Sequence, residues 1–302
     1  MTSNNLFPIV DPHMHLWDLS RARYAWLRDD PLPNNPAGDI TPISGKSYGL
    51  DDYLADTTGW TVARTVHIEC GLPFTEQLAE TDWLQAMADA RGHPHGIVAG
   101  AQLEHPDIEA LLAAHAARPN TRGVRQIVNW HVDPLKTYTP RDLLDDPAWR
   151  AGYALLARYG LSFDLQIYPS QMIAAARLAG DHPDTQVILN HTGMPTDRDE
   201  AGLARWRQGM AALAAWPNVS VKISGLGMVE RAWTTETIRP FVLRAIDLFG
   251  VDRCMFASNF PVDRIHGAFH THYESYLAIT ADFSADERAA LFAANAERLY
   301  RL

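Results

Sequence analysis

The chain has little of what marks several protein classes. Cysteine occurs only twice in 302 residues, as Cys70 and Cys254, so no disulfide framework is indicated. Basic residues are outnumbered: 26 Lys and Arg against 36 Asp and Glu leave a formal charge of −10. That balance offers no electrostatic footprint for nucleic acid or for an anionic membrane surface. An anionic small molecule stays compatible with it, because local arginines can oppose the global field. No apolar run approaches the ~20 residues that span a bilayer. The segment Met1-Thr2-Ser3-Asn4-Asn5 lacks the basic region and apolar core of a secretory signal. The expected setting is the cytoplasm, where the sequons at Asn190 and Asn218 carry no meaning. Also missing is a glycine-rich turn after the first strand, the usual mark of a doubly wound nucleotide-binding sheet. Pro12-His13-Met14-His15 stands there instead.

What is present is a soluble-domain composition, 47% hydrophobic and 21% charged, arranged as short apolar runs between amphipathic stretches. Strands are predicted over Phe7–Asp11, Val62–Glu69, Gly96–Gln102, Gly123–Val128, Ser162–Ile167, Gln186–Asn190, Val219–Ser224 and Arg253–Ala257. Runs such as Val187-Ile188-Leu189 suit strands covered on both faces. Helical spacing recurs between them, at Ile108-Leu111-Leu112-His115, around Met172–Ala179 and along Ile238–Phe249, with a closing helix over Ala285–Leu302. Strands alternating with helices in this number predict a single (β/α)8 barrel over residues 1–302. The first strand is followed by a long connection rich in proline and aromatics, including Tyr24, Trp26, Leu27, Pro31, Pro33, Pro36, Tyr48 and Tyr53. A connection of that length reads as a lid over a site, or as an excursion whose aromatics pack on the barrel.

Active sites of such barrels form at the carboxyl ends of the strands, and those ends carry chemistry here. The first gives His13 and His15, whose i, i+2 spacing aims two imidazoles the same way. Later ends give His67 and Glu69, Arg125, Asp164 and Gln166, Asn190 and His191, Lys222 and Ser224, then Ser258 and Asn259. Polar groups on otherwise apolar strands are costly unless they satisfy one another or a ligand. Arg125 suits a carboxylate or a developing oxyanion, or an ion pair with Glu69 or Glu104. Asp263 is a candidate base, or a helix cap. Asp164 could hold His191 in one tautomer. Trp17, Trp26 and Trp130 lie near the mouth. His266, His270 and His272 read as pocket rim or surface, and His93 and His95 as structural residues at the far end.

The order of these motifs resembles the amidohydrolase superfamily, in particular the amidohydrolase-2 branch with sugar-lactone and pyrone-dicarboxylate lactonases. The likeness is carried along the chain by Asp11–Asp18, Tyr24-Ala25-Trp26-Leu27, Gly123-Val124-Arg125, Asn190–Pro195, Ser258–Asp263 and Asn295–Tyr300. It implies a metal site at His13, His15 and His191 holding one zinc or manganese, although some lactonase members work without a metal. Gln166 stands where metal-dependent members place a histidine, and Asn259 where they place the aspartate that activates water. The base must then come from elsewhere, with Asp263 nearest and Glu69 and Asp164 as alternatives.

The predicted function is hydrolysis of a lactone of a sugar acid or a related carboxylated ring. His13, His15, His191 and Asp263 would be catalytic, and Arg125, Glu69, Trp17, Gln166 and Asn259 would bind substrate. A metal-dependent decarboxylase or hydratase, and a non-catalytic binding protein on a decayed barrel, are the other readings. The expected partner is a small-molecule substrate, with no nucleic acid or membrane; homo-oligomerisation is left open.

Overall fold

Short runs of apolar residues that are buried on both sides can satisfy their backbone only by pairing with neighbours of the same kind. In the computed structural model, which describes residues 8–27 and 38–302, they do so in one eight-stranded sheet of order β1 to β8. The strands are β1 (Ile9–Met14), β2 (Val62–Ile68), β3 (Gly96–Gly100), β4 (Thr121–Ile127), β5 (Ser162–Gln166), β6 (Val187–Leu189), β7 (Val219–Ile223) and β8 (Cys254–Phe256). Each pairs in parallel with the next. A parallel bridge from Met14 to Phe260 closes the ring, helped by Asn259 N–H to the His13 carbonyl at 2.8 Å and His15 N–H to the Phe260 carbonyl at 2.7 Å. The fold is the (β/α)8 barrel.

Helices fill the crossovers. They are α1 (Leu50–Asp56), α2 (Phe74–Arg91), α3 (Ile108–Ala116), α4 (Pro147–Tyr153), α5 (Met172–Asp181), α6 (Glu200–Ala214), α7 (Leu226–Val229), α8 (Thr235–Phe249), α9 (Phe269–Ile279), α10 (Ala285–Ala289) and α11 (Asn295–Tyr300). Several begin at the side chains chemistry would choose. Asp146 accepts from the N–H groups of Ala148 and Trp149 at α4, Asp199 from Gly202 at α6, and Thr234 from Thr237 at α8. The closing helix is interrupted by a π-turn over Ala290–Ala294 between α10 and α11.

Inside the barrel, Val10, Val66, Val98, Ile188 and Met255 come from five different strands. They pack with Ala296, Leu299 and Tyr300 of α11, so the C-terminal helix plugs one end. The other end carries the site. Gly152 shows how closely the outer layer sits: a Cβ there would lie 2.0 Å from the Leu103 carbonyl oxygen.

The long connection after β1 is fastened to the barrel. Trp17 and Tyr48 form an antiparallel bridge, the Trp26 indole N–H donates to the Cys70 carbonyl at 2.8 Å, and the Tyr53 hydroxyl donates to Asp11 at 2.8 Å. Its aromatics are packing groups. Phe7 and the lid prolines Pro31, Pro33 and Pro36 lie outside the described residues.

Candidate active site

β1 extends past its predicted end, so His13 lies within the strand and His15 one residue beyond it. His191 lies two residues past the end of β6, after Asn190. The three rings converge: centroids of His13 and His15 are 5.0 Å apart, and those of His13 and His191 are 4.6 Å apart. All three side chains are buried. The turn that presents His191 is left-handed at His191 (φ 54°) and Thr192 (φ 53°), and Asn259 is left-handed too (φ 57°). Such conformations cost non-glycine residues about 1–2 kcal/mol each and persist where the surroundings enforce them. At Gly225 (φ 65°), facing His191, a Cβ would come within 2.7 Å of the imidazole.

Burial drives the three imidazoles toward neutrality. His13 and His191 are held well below the usual histidine range, with Lys222 and Arg125 respectively adding to the desolvation. His15 falls to about 3, from burial and then Arg125. A neutral imidazole has one N–H and one lone pair, so the partners decide which edge does what. His15 Nδ1 lies 2.8 Å from the Ile68 carbonyl, which only accepts. Its Nε2 faces a second acceptor, Asn259 Oδ1, at 3.3 Å; the shorter contact takes the single proton on Nδ1, which leaves the Nε2 lone pair without a donor. His191 Nδ1 meets the Ser224 hydroxyl at 3.1 Å, a partner that can donate or accept. His13 Nδ1 lies 3.4 Å from Lys222 Nζ, and its Nε2 has no partner among the described residues.

The charged groups around them are paired. Arg125 Nε donates to Glu69 Oε1 at 2.7 Å, Nη2 to the Glu69 carbonyl at 2.7 Å, and Nη1 to Gln166 Oε1 at 3.1 Å. Lys222 Nζ donates to Asp164 Oδ1 at 2.5 Å, both side chains fully buried. Asp263 accepts from Asn259 Nδ2 at 3.0 Å and from Gly225 N–H at 3.1 Å. Burial outweighs those bonds and raises its carboxyl to about 7. Asp11 ties β1 to β8, accepting from the Ser258 hydroxyl at 2.6 Å and its N–H at 3.0 Å.

Several alternatives are thereby decided. Of the two carboxylates offered to Arg125, Glu69 takes it, while Glu104 accepts from Gln126 at 2.8 Å. Asp164 does not hold His191. It is taken by Lys222, by Asn190 Nδ2 at 3.0 Å and by the Tyr300 hydroxyl at 2.9 Å. Asp263 bonds the β7 and β8 loops. Trp17 lies under the post-β1 connection, its indole N–H on the Lys46 carbonyl at 2.8 Å. His272 stacks on Trp233 at 4.7 Å and bonds the Asp263 carbonyl at 3.3 Å. Lys222 and Tyr300 had no assigned role in the sequence. The available signal was a charged residue inside the apolar run Val219-Ser220-Val221-Lys222-Ile223.

Comparison with known proteins supplies the family. The family model described as amidohydrolase matches residues 10–302. The chain belongs to the amidohydrolase family. An uncharacterised protein of Sinorhizobium fredii is 47% identical to it, over 97% of this chain and 98% of that protein. An L-fucono-1,5-lactonase of Burkholderia ambifaria is 27% identical, over 97% of this chain and 95% of that one. Among solved structures, an amidohydrolase from Burkholderia multivorans with bound zinc superposes at a TM-score of 0.81. It is 24% identical, over 98% of this chain and 100% of its own.

Amidohydrolases often use a divalent metal, and the donor set here fits one in part. His15 is arranged as metal-bound histidines are, with Nδ1–H on a backbone carbonyl and Nε2 unprotonated beside Asn259 Oδ1. His191 fits when Nδ1–H donates to Ser224. A second cluster, His67, Cys70 and Glu80, brings ligand atoms within 4.8 Å of one another. There, Leu16 N–H donates to His67 Nδ1 at 3.1 Å, which leaves the ring proton on Nε2. Burial pushes the Cys70 thiol up and the Glu80 carboxyl to about 8. A cation at that cluster would have to displace three protons. Among the described residues, no helix is long and apolar enough to cross a membrane.

Proposed function

We propose that this amidohydrolase opens the ring of an uncharged sugar-acid lactone by attack of water on the ring carbonyl. The observation that carries the choice of an uncharged ring is the pairing of Arg125: its guanidinium is engaged by Glu69 and Gln166. A second carboxylate at this point would have to displace Glu69, leaving a buried anion uncompensated. The Burkholderia relative named for a fuconolactone supports the same substrate class.

The chemistry needs a proton acceptor, a site for developing negative charge and a proton for the leaving oxygen. Asp263, with its carboxyl raised to about 7, is a far stronger base than His15 at about 3. It accepts the proton of the attacking water directly, while Asn259 Oδ1 and the His15 Nε2 lone pair orient that water's hydrogens. Attack gives a tetrahedral oxyanion, stabilised by imidazole N–H groups and by the field of Arg125. Collapse breaks the ring C–O bond, and the departing oxygen takes back the proton from Asp263. Trp17 contributes by holding the connection over the mouth. A zinc or manganese ion, held by His15 and His191, would supply Lewis-acid polarisation of the carbonyl and a more acidic water.

A pH-indicator assay of neutral aldonolactones beside pyrone dicarboxylates, run with and without added zinc, tests the reading. Preferential opening of a neutral lactone is expected. Preference for the dicarboxylate would overturn the charge argument, and decarboxylation without ring opening would favour the other chemistry of this branch.

A further inference from the structure

We infer that Lys222 is a positioning residue that fixes the tautomer of His13, turning it into a hydrogen-bond donor at the reaction site rather than a metal ligand. The inference rests on the proposed lactone opening only for what the donor does. The tautomer itself follows from the buried network.

Lys222 reaches from β7 into the barrel with its side chain fully buried. Three groups surround its Nζ: Asp164 Oδ1 on β5 at 2.5 Å, His13 Nδ1 on β1 at 3.4 Å, and the Tyr300 ring of α11, whose centroid is 5.0 Å away. Asp164 accepts in addition from Tyr300 and Asn190. An ammonium facing that carboxylate has three donors and no lone pair. The nitrogen of His13 turned toward it must therefore be the one without a proton. Burial keeps the ring neutral, so its single proton is on Nε2.

Nε2 lies across the ring from Lys222 and has no partner among the described residues. A buried donor left unsatisfied costs about 1–3 kcal/mol, a cost recovered when a ligand oxygen accepts from it. The rings of His191 and His15, at 4.6 Å and 5.0 Å, border the same space, so a lactone carbonyl placed there would take the Nε2–H bond as its oxygen becomes an oxyanion. A metal at His13 Nε2 would instead need the lone pair that this network assigns to Nδ1. The two residues of the first-strand motif are thereby given opposite polarity, His15 presenting an acceptor and His13 a donor.

The test is a long-range ¹H–¹⁵N correlation spectrum of the full-length protein labelled at histidine, recorded without substrate or metal, with His13→Gln used to assign the signal. The expected pattern is a protonated Nε2 and an unprotonated Nδ1 at His13. A protonated Nδ1 overturns the inference whether or not the protein opens lactones. The variant Lys222→Met carrying Asp164→Asn removes both buried charges together, so that neither is left unpaired. In it the His13 tautomer should shift, and kcat on a lactone substrate should fall on the order of 100-fold with KM within about threefold. An unchanged tautomer in the double variant would show that Lys222 does not set it.

Discussion

The chain contains the pattern His-x-His three times, and two of the copies, His13/His15 and His93/His95, lie at opposite ends of the barrel. His13 and His15 have ring centroids 5.0 Å apart at 73°, and His93 and His95 have theirs 4.8 Å apart at 89°. Burial lowers the pKa of all four. The partners differ. His93 Nδ1 meets the Thr65 hydroxyl at 3.1 Å and His95 Nδ1 accepts from Thr65 N–H at 3.4 Å, so one threonine serves both half-buried rings. His13 and His15 are buried and face Lys222, Asn259 and His191, from three other strand ends. The motif therefore says little by itself. It marks a site where several strands deliver groups that leave donor or acceptor edges unspent.

Changes at the first copy should be severe and at the second mild. The largest effect is expected from Asp263→Asn, which should lower kcat/KM by about 10²–10⁴-fold and flatten the acid limb of the pH–rate profile, as steady-state kinetics across pH would show. The same variant tests linkage. With a folded pKa of about 7 against an ordinary 3.8, Asp263 contributes stability that is fully present below pH 3.8 and lost as pH rises through 7. The melting temperature of Asp263→Asn should accordingly decline less between pH 5 and pH 8 than that of the wild type.

Next come the cations beside each copy. Arg125→Met strands the buried Glu69 carboxylate and should cost about 3–5 kcal/mol in denaturant unfolding. Arg64→Met, which breaks the half-exposed pair with Glu297 at 3.4 Å, should cost about 0–1 kcal/mol. Smaller than the Arg125 effect is Tyr53→Phe, which removes one donor from Asp11 and should cost about 1 kcal/mol by the same measurement. His95→Ala should leave kcat/KM within about threefold, since it touches no group at the mouth.

The barrel was legible because burial on both faces writes itself into a strand as an unbroken apolar run, as in Val187-Ile188-Leu189. His13, His15, His191 and Asn259 were legible because strand ends can be counted along the chain. Partner choice was not, since it depends on register and on which side chains turn inward. Arg125 had two carboxylates within plausible reach, and only the geometry of β2 against β4 gives it Glu69. Asp164 could be placed near the site but not beside Lys222, because that contact joins β5 to β7 across the barrel with α11 beneath. The π-turn in the closing helix has no signature in its alanine-rich sequence.

The most direct test compares these two motif copies, at opposite ends of the barrel, on one substrate. Ring opening of a neutral aldonolactone should be measured for the wild type, for His13→Ala with His15→Ala, and for His93→Ala with His95→Ala. The wild type should exceed the spontaneous rate, the first double variant should fall by about 10³-fold or more, and the second should stay close to wild type. Equal losses in both variants, or no opening by the wild type, would contradict the assignment of lactone hydrolysis to the first copy.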